Sequence, residues 1–354
     1  MRSLLITGLN GWSGRYAAAC VLRDEEMRVV GLDRGFEVHA SLRPFADRVR
    51  CHGCDIAQDG DVLPTLLERE QVNGILHLAG LTVSDDWSAL LRVNVHGTVN
   101  LLKAVLKLRE AGWGDPPILI VSSSAVYGQT APEDSPISEE CPLRPLTPYG
   151  ASKAAQEFAA HRFFRTDGLR IIRVRTFNLV GPGQVPDLVC SSIARQIAQA
   201  EVRGEMAVVR LGRLDTERDF IDVRDAVSLY LKALDVGSPG DVYNCGSGTA
   251  HSIGQVLDVF RDLTPVEVKV EQRADVFRKV DILSQRADLT KVFRLTGWKP
   301  SIPLVDSLRD LLNEWRNRIV SVQPSAVSIQ PQMADGNTRG VSGGPPVPGL
   351  TADS

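Results

Sequence analysis

Thr7-Gly8-Leu9-Asn10-Gly11-Trp12-Ser13-Gly14 follows a short apolar run, Ser3–Thr7, and opens a helical pattern over Gly14–Arg23. Glycines at 8, 11 and 14 allow a tight turn, close approach of a ligand to the backbone, and close packing of a helix on a strand. A helix starting there offers free N–H groups and a positive dipole end, the setting a pyrophosphate needs. Three glycines alone equally describe an ordinary turn, so the surrounding residues decide.

Asp33 closes the next apolar run, Arg28–Leu32, 19 residues after Gly14. A carboxylate there accepts both ribose hydroxyls of NAD and repels a 2′-phosphate, whereas the adjacent Arg34 offers that phosphate a guanidinium. Asp33 thus points to NAD and Arg34 to NADP. Asp55-Ile56, after a third run at Val49–His52, is placed to reach an adenine. His77-Leu78-Ala79-Gly80 ends a fourth run, Gly74–Leu78, and lines the cofactor floor. With Asn10, Trp12 and Ser13 from the turn, these residues form the expected NAD(P)H site.

Further runs at Ile118–Ser122 and Leu169–Arg175 alternate with helical patterns at Val62–Glu70, Ala89–Glu110 and Tyr149–Thr166. This alternation predicts an α/β fold with a Rossmann-type, doubly wound parallel sheet. Ile118-Leu119-Ile120-Val121 is apolar without alternation, as expected of a strand covered on both faces. After Thr176 the rhythm changes, with isolated strands at Arg218–Val223, Asp241–Cys245 and Val266–Glu271 and a closing amphipathic helix at Leu304–Arg318. The expected organisation is a nucleotide domain over residues 1–176, rejoined at about 220–247. A smaller mixed α/β substrate domain takes residues 177–219 and 248–319. Residues 320–354 are rich in Pro, Gly, Ser and Thr and read as a disordered tail.

The 354 residues are 43% hydrophobic and 23% charged, with a formal net charge of −3. That is an ordinary globular composition with no basic footprint for nucleic acid or membrane surface. No apolar run reaches the roughly 18–20 residues of a membrane span. The N-terminal apolar run ends in the glycine turn and so reads as a strand rather than a signal peptide. The expected location is cytoplasmic. Of the six cysteines, only Cys51-His52-Gly53-Cys54 has metal-like spacing, and no second pair accompanies it. No metal is expected.

Tyr149-Gly150-Ala151-Ser152-Lys153 sets a phenol and an ammonium four apart, on one helix face. A tyrosine loses its proton near pH 10. A neighbouring ammonium and a positive nicotinamide ring favour the phenolate and are expected to bring that value towards neutrality. Such a pair by itself more often decorates a surface. What alters the weighing is Ser122-Ser123-Ser124-Ala125-Val126-Tyr127-Gly128 at the end of the fifth strand, where ligands sit in open α/β sheets.

These segments together resemble the extended short-chain dehydrogenases/reductases that act on nucleotide sugars, from Leu4 to about Trp315. The resemblance implies Gly8, Gly11 and Gly14 as cofactor glycines, Ser123, Tyr149 and Lys153 as catalytic residues, and Asn94 as the structural asparagine of the fourth helix. The second half is closer still to GDP-6-deoxy-4-keto-mannose reductases, through Arg175–Gln184, Ser191–Ile197, Glu217–Val223 and Val242–Gly248. It implies Asn178, Arg195, Arg218 and Arg278 as contacts of the nucleotide sugar, with Ser124 beside them, and a homodimer built on Ala89–Glu110 and Tyr149–Thr166.

Dehydratases of this group carry Thr-Asp-Glu where this chain has Ser123-Ser124-Ala125. Eliminating water needs an acid and a base there, which Ser124 and Ala125 do not supply. The expected activity is therefore NAD(P)H-dependent reduction of a C4 carbonyl on a 4-keto-6-deoxyhexose, GDP-linked for preference. A nucleotide-sugar 4-epimerase with tightly held NAD uses the same three residues. A non-catalytic NAD(P)-binding regulator would not need the tyrosine and lysine.

Overall fold

The computed structural model describes residues 1–82, 84–272 and 282–322. In chain order the strands are β1 (Arg2–Thr7), β2 (Met27–Asp33), β3 (Val49–Gly53), β4 (Gly74–His77), β5 (Ile118–Ser123), β6 (Ile171–Thr176), β7 (Asn178–Val180), β8 (Ala207–Leu211), β9 (Glu217–Asp222), β10 (Val242–Cys245), β11 (Ala250–Ser252), β12 (Val268–Gln272) and β13 (Ser284–Gln285). The helices are α1 (Trp12–Val21), α2 (Leu63–Arg69), α3 (Trp87–Leu90), α4 (Gly97–Glu110), α5 (Pro148–Asp167), α6 (Val189–Arg203), α7 (Val223–Val236), α8 (Ile253–Leu263), α9 (Thr290–Thr296) and α10 (Leu304–Val322).

Seven strands pair in the order β10-β6-β5-β4-β1-β2-β3, every neighbour parallel. Along β1, Leu4 and Ile6 face a core shared with α1 and α7, while Leu5 faces one shared with α2, α4 and α5. Successive side chains alternate faces, so apolar residues at every position are what a doubly covered strand requires. The strand order reverses between β1 and β4, which opens a crevice at their carboxyl ends.

The remaining strands form a four-stranded sheet of β7, β9, β11 and β13 and a two-stranded β8–β12 pair. Helices α6, α8 and α10 close a third apolar core over them. Two boundaries differ from the sequence reading. The strand at 217–222 pairs with β7, β11 and β13, so Phe220–Asp222 stay in the small sheet and the chain returns only with α7. The reason is local, because Asp219 is buried and holds the small sheet's neighbouring loops. The closing helix runs to Val322, so residues 320–322 are helical; residues 323–354 lie outside the described part of the chain.

Candidate active site

Gly8 adopts φ +72°, a left-handed conformation that favours glycine. At Gly14 a Cβ would stand 2.1 Å from the Gly8 carbonyl oxygen, so the turn closes only without a side chain there. Gly11 caps α1 and offers no side-chain acceptor to the first-turn amides. Those donors face the β1–β4 crevice end, which is how a pyrophosphate cradle is built.

Asp33 accepts from the main-chain N–H of Asn10 at 2.9 Å and of Arg34 at 2.8 Å, which fixes its carboxylate beside the turn. Asn10 also accepts from the His39 amide and donates to the Glu37 carbonyl, tying down the loop after β2. The Arg34 side chain is exposed and Ser13 half-buried at the helix start. Trp12 turns elsewhere: its indole N–H donates to the Pro182 carbonyl at 2.7 Å, and Tyr16 donates to the same oxygen at 3.0 Å. The glycine turn is thereby braced by the loop that follows β7.

Asp55 spends its two oxygens on the Ala57 amide and the Gln58 side chain, shaping the turn after β3. Ile56 is buried against the Gly97 backbone. The Leu78 and Ala79 amides both donate to the Thr7 hydroxyl, and a Cβ at Gly80 would stand 3.1 Å from Asn94 Oδ1. Cys51 and Cys54 are raised to about 11 by burial, the reverse of a reactive thiolate.

The fifth strand and α5 bring the chemistry together. Thr147 accepts from the Gly150 amide and Pro148 occupies the first helical turn, so α5 begins one residue before Tyr149. The hydroxyl of Ser123 neighbours the phenol of Tyr149 and acts to lower the phenol's pKa. Burial acts the other way and wins, so Tyr149 is raised, not brought towards neutrality. The expected partner is engaged elsewhere: Lys153 donates from Nζ to the Val121 carbonyl at 2.6 Å. Burial drops this ammonium to about 8, and the Glu157 carboxylate, one turn on, works against that fall.

The substrate-side residues are dispersed around this centre. Ser124 is buried and donates to Gln285 Oε1 at 3.3 Å, while Gln285 Nε2 reaches back to the carbonyls of Ser124 and Gly128. Asn178, at the start of β7, donates to the Asp219 carbonyl at 3.2 Å. Arg218 donates to the Glu217 carbonyl, and Arg195 on α6 holds a buried Nε with no hydrogen-bond partner. Arg278 lies outside the described residues.

His77, which the sequence places at the cofactor floor, organises the site together with Asp219 and Glu157, which the sequence reading did not single out. His77 joins Thr7 at 2.7 Å and Thr98 at 2.8 Å. Asp219 accepts from Ser247, Gly248 and Ala287, joining β9 to the loop after β10. Glu157 takes Ser122 and Arg175. The sequence signal for Glu157 is its spacing, four residues beyond Lys153 on the face that carries Tyr149. Among the described residues no helix is long and apolar enough to cross a membrane, and no group of three or more potential ligands could hold a metal.

The family model for GDP-mannose 4,6 dehydratase matches residues 5–311. GDP-6-deoxy-D-mannose reductase of Pseudomonas aeruginosa is 33% identical over 323 residues, covering 89% of this chain and 98% of that protein. UDP-glucose 4-epimerase of Streptococcus mutans is 26% identical over 323 residues, covering 86% and 94%. The solved structure of RMD from Pseudomonas aeruginosa complexed with NADPH superposes with a TM-score of 0.76 at 33% identity, covering 90% of this chain and 98% of that one. A glycine cradle, a Ser-Tyr-Lys centre and similarity along nearly the whole described length agree, and the chain belongs to the GDP-mannose 4,6-dehydratase family.

Proposed function

We propose that this protein reduces the C4 carbonyl of a nucleotide-linked 4-keto-6-deoxyhexose with NAD(P)H, converting GDP-4-keto-6-deoxy-D-mannose to GDP-D-rhamnose. The observation that carries the reading is the convergence of Ser123, Tyr149 and Lys153 at the end of β5, where Lys153 Nζ donates to the Val121 carbonyl at 2.6 Å and the Ser123 hydroxyl acts on the Tyr149 phenol. With Ala125 next to them, the centre suits a proton delivery and lacks the acid–base pair of an elimination.

Gly8, Gly11, Gly14 and Asp33 would hold the dinucleotide through its pyrophosphate and ribose, and the bound cofactor would supply the hydride for C4. Ser123 donates to the carbonyl oxygen and orients it. Tyr149 gives that oxygen its proton as negative charge develops. Its raised pKa keeps the phenol protonated at neutral pH, as an acid must be. Lys153, on the same helix face, would hold positive charge beside the phenol and contact the ribose of a bound nicotinamide. Asn178, Arg195 and Arg218 are read as holding the diphosphate, where a guanidinium fork matches phosphate geometry. The reductase of P. aeruginosa supports the GDP-linked substrate.

The test is a panel of GDP-, UDP-, dTDP- and CDP-linked 4-keto-6-deoxy sugars, with loss of NADPH or NADH absorbance as readout. Oxidation of cofactor with the GDP-linked substrate is expected. Inversion of a 4-hydroxy sugar with no net cofactor use would instead establish the epimerase, which the similarity to UDP-glucose 4-epimerase favours. Tyr149→Phe should lower kcat by about 10²–10⁴-fold while cofactor still binds. We further propose a homodimer through the α4 and α5 faces, where Phe158 is 66% exposed.

A further inference from the structure

Three residues of α5 at a spacing of four each grip one of the last three residues of β5. Tyr149 has the Ser123 hydroxyl as its polar neighbour. Lys153 Nζ donates to the Val121 carbonyl at 2.6 Å. Glu157 Oε1 accepts from the Ser122 hydroxyl at 2.5 Å. Residues at i, i+4 and i+8 share one helix face, so the stripe lies along the strand end as a single contact.

The third member is more deeply buried than the other two. Glu157 is 1% exposed and Lys153 6%. An isolated carboxylate at that depth would be strongly unfavourable. Arg175 on β6 compensates it, with Nε at 3.0 Å from Oε1 and Nη2 at 2.9 Å from Oε2. The same guanidinium donates to the Tyr127 hydroxyl at 3.1 Å and to the Glu139 carbonyl at 2.9 Å, so it has no freedom to leave.

We infer that Glu157 is a positioning residue of the reaction: it fixes the strand end that presents Ser123 and supplies the negative charge that keeps Lys153 an ammonium beneath Tyr149. The inference rests on the reading of Ser123, Tyr149 and Lys153 as the proton-handling centre. Burial drives Lys153 towards the neutral amine, and Glu157 is the one named group that opposes this. The other ionisable groups around the centre are His77 on β4, Arg173 and Arg175 on β6, Tyr127 and Glu139 in the β5–α5 connection, Tyr230 on α7 and Cys245 on β10. Burial keeps His77 neutral and raises Tyr127, Tyr230 and Cys245. Glu139 is engaged by the Asn244 amide at 2.7 Å.

Glu157→Gln keeps the shape of the side chain and removes its charge. It also leaves Arg175 uncompensated, and both changes disfavour the Lys153 ammonium and favour the Tyr149 phenolate. The alkaline limb of kcat for NAD(P)H oxidation should therefore move to lower pH, by about one unit. Glu157→Gln/Arg175→Gln removes both charges and should bring the limb back towards the wild-type position. A purely structural role would lower stability and leave the limb where it is.

Ser122→Ala tests the grip separately, since it keeps the buried ion pair and deletes one hydroxyl. Several-fold lower kcat with unchanged KM is expected. An unmoved limb in folded Glu157→Gln, or an unchanged kcat in Ser122→Ala, overturns the inference. Tyr149→Phe is measured alongside. If it keeps turnover, the reading of the centre itself fails; if it is inactive while the other variants behave as wild type, only the role of Glu157 fails.

Discussion

His77 shows how counting donors settles a protonation state. The Thr7 oxygen already accepts from the Leu78 amide at 3.1 Å and the Ala79 amide at 3.0 Å, which fills both its lone pairs. Its own proton must therefore go to His77 Nδ1, 2.7 Å away. The imidazole then carries its hydrogen on Nε2 and donates to Thr98 at 2.8 Å. Thr98 in turn accepts from Gln156 and donates to the Asn94 carbonyl. Every proton in this chain has one direction, and a second proton on His77 would face a donor. Burial accordingly holds His77 neutral, its pKa lowered to about 3, with the Lys153 ammonium adding to the fall. An unfolded histidine takes up its proton near pH 6.5. Between those values the unfolded chain binds a proton that the folded chain refuses. This contribution to stability is complete above about pH 6.5 and is lost as pH falls towards 3, at about 1.4 kcal/mol per pH unit. Urea unfolding of wild type and His77→Gln between about pH 6 and pH 4 should show that slope removed in the variant. Parallel stability curves would mean that the imidazole titrates alike in both states.

At the scale of elements, the segment Leu91–His96 is the informative one. It is a π-helical stretch between α3 and α4, the kind of interruption that re-aims a side chain at a functional site. The side chain re-aimed is Asn94, which is fully buried. Its Oδ1 accepts from the Leu81 amide at 2.8 Å, and its Nδ2 donates to the Leu81 carbonyl at 3.0 Å and to Ser152 at 2.9 Å. Ser152 closes the path by donating to the Tyr149 carbonyl. Asn94→Ala removes the partner of both backbone groups of Leu81, which is half-buried, so stability should fall by about 1–3 kcal/mol. Denaturant melts check this, and kcat should drop more than KM rises because α5 loses a tether, not a substrate contact. The sequence pattern predicts one continuous helix over Ala89–Glu110, since apolar spacing hardly distinguishes a π turn from an α turn. Trp12 is a comparable case. Its place in the glycine turn was legible, but its partner Pro182 stands far along the chain, and no local pattern reports such a contact. The strand at 217–222 was legible from Phe220-Ile221, whereas its sheet was not, because the buried Asp219 that chooses it reads in sequence as one more charged residue. Glu157 shares the Tyr149–Lys153 spacing and was still missed, because burial of a carboxylate becomes visible only when Arg175 arrives from another strand.

For the whole molecule, the proposed dimer face lies on the helix that carries the chemistry, α5. Its inner face carries Tyr149, Lys153 and Glu157, while Ala151, Ala155, Phe158 and Ala159 line its outer face with Phe158 66% exposed. Leu91 at 43% and Trp87 at 50% exposure lie on the segment leading into α4, which packs beside α5. Apolar residues at i, i+4, i+7 and i+8 form the stripe by which helices pack on one another. In a two-fold dimer each position on such a face is used twice, so one substitution is felt twice. Burying a phenylalanine is worth about 1.5–3 kcal/mol, so losing two weakens association by about 3 kcal/mol or more, at least ~100-fold in Kd. Placing glutamate there adds two charges to be desolvated or two like charges to be brought together. If the proposed dimer forms, the wild type should sediment as a dimer at micromolar concentrations and Phe158→Glu as a monomer. The inner stripe is untouched, so cofactor affinity should survive the substitution. A wild type that sediments as a monomer under those conditions, or a variant that remains dimeric, removes this face from the assembly.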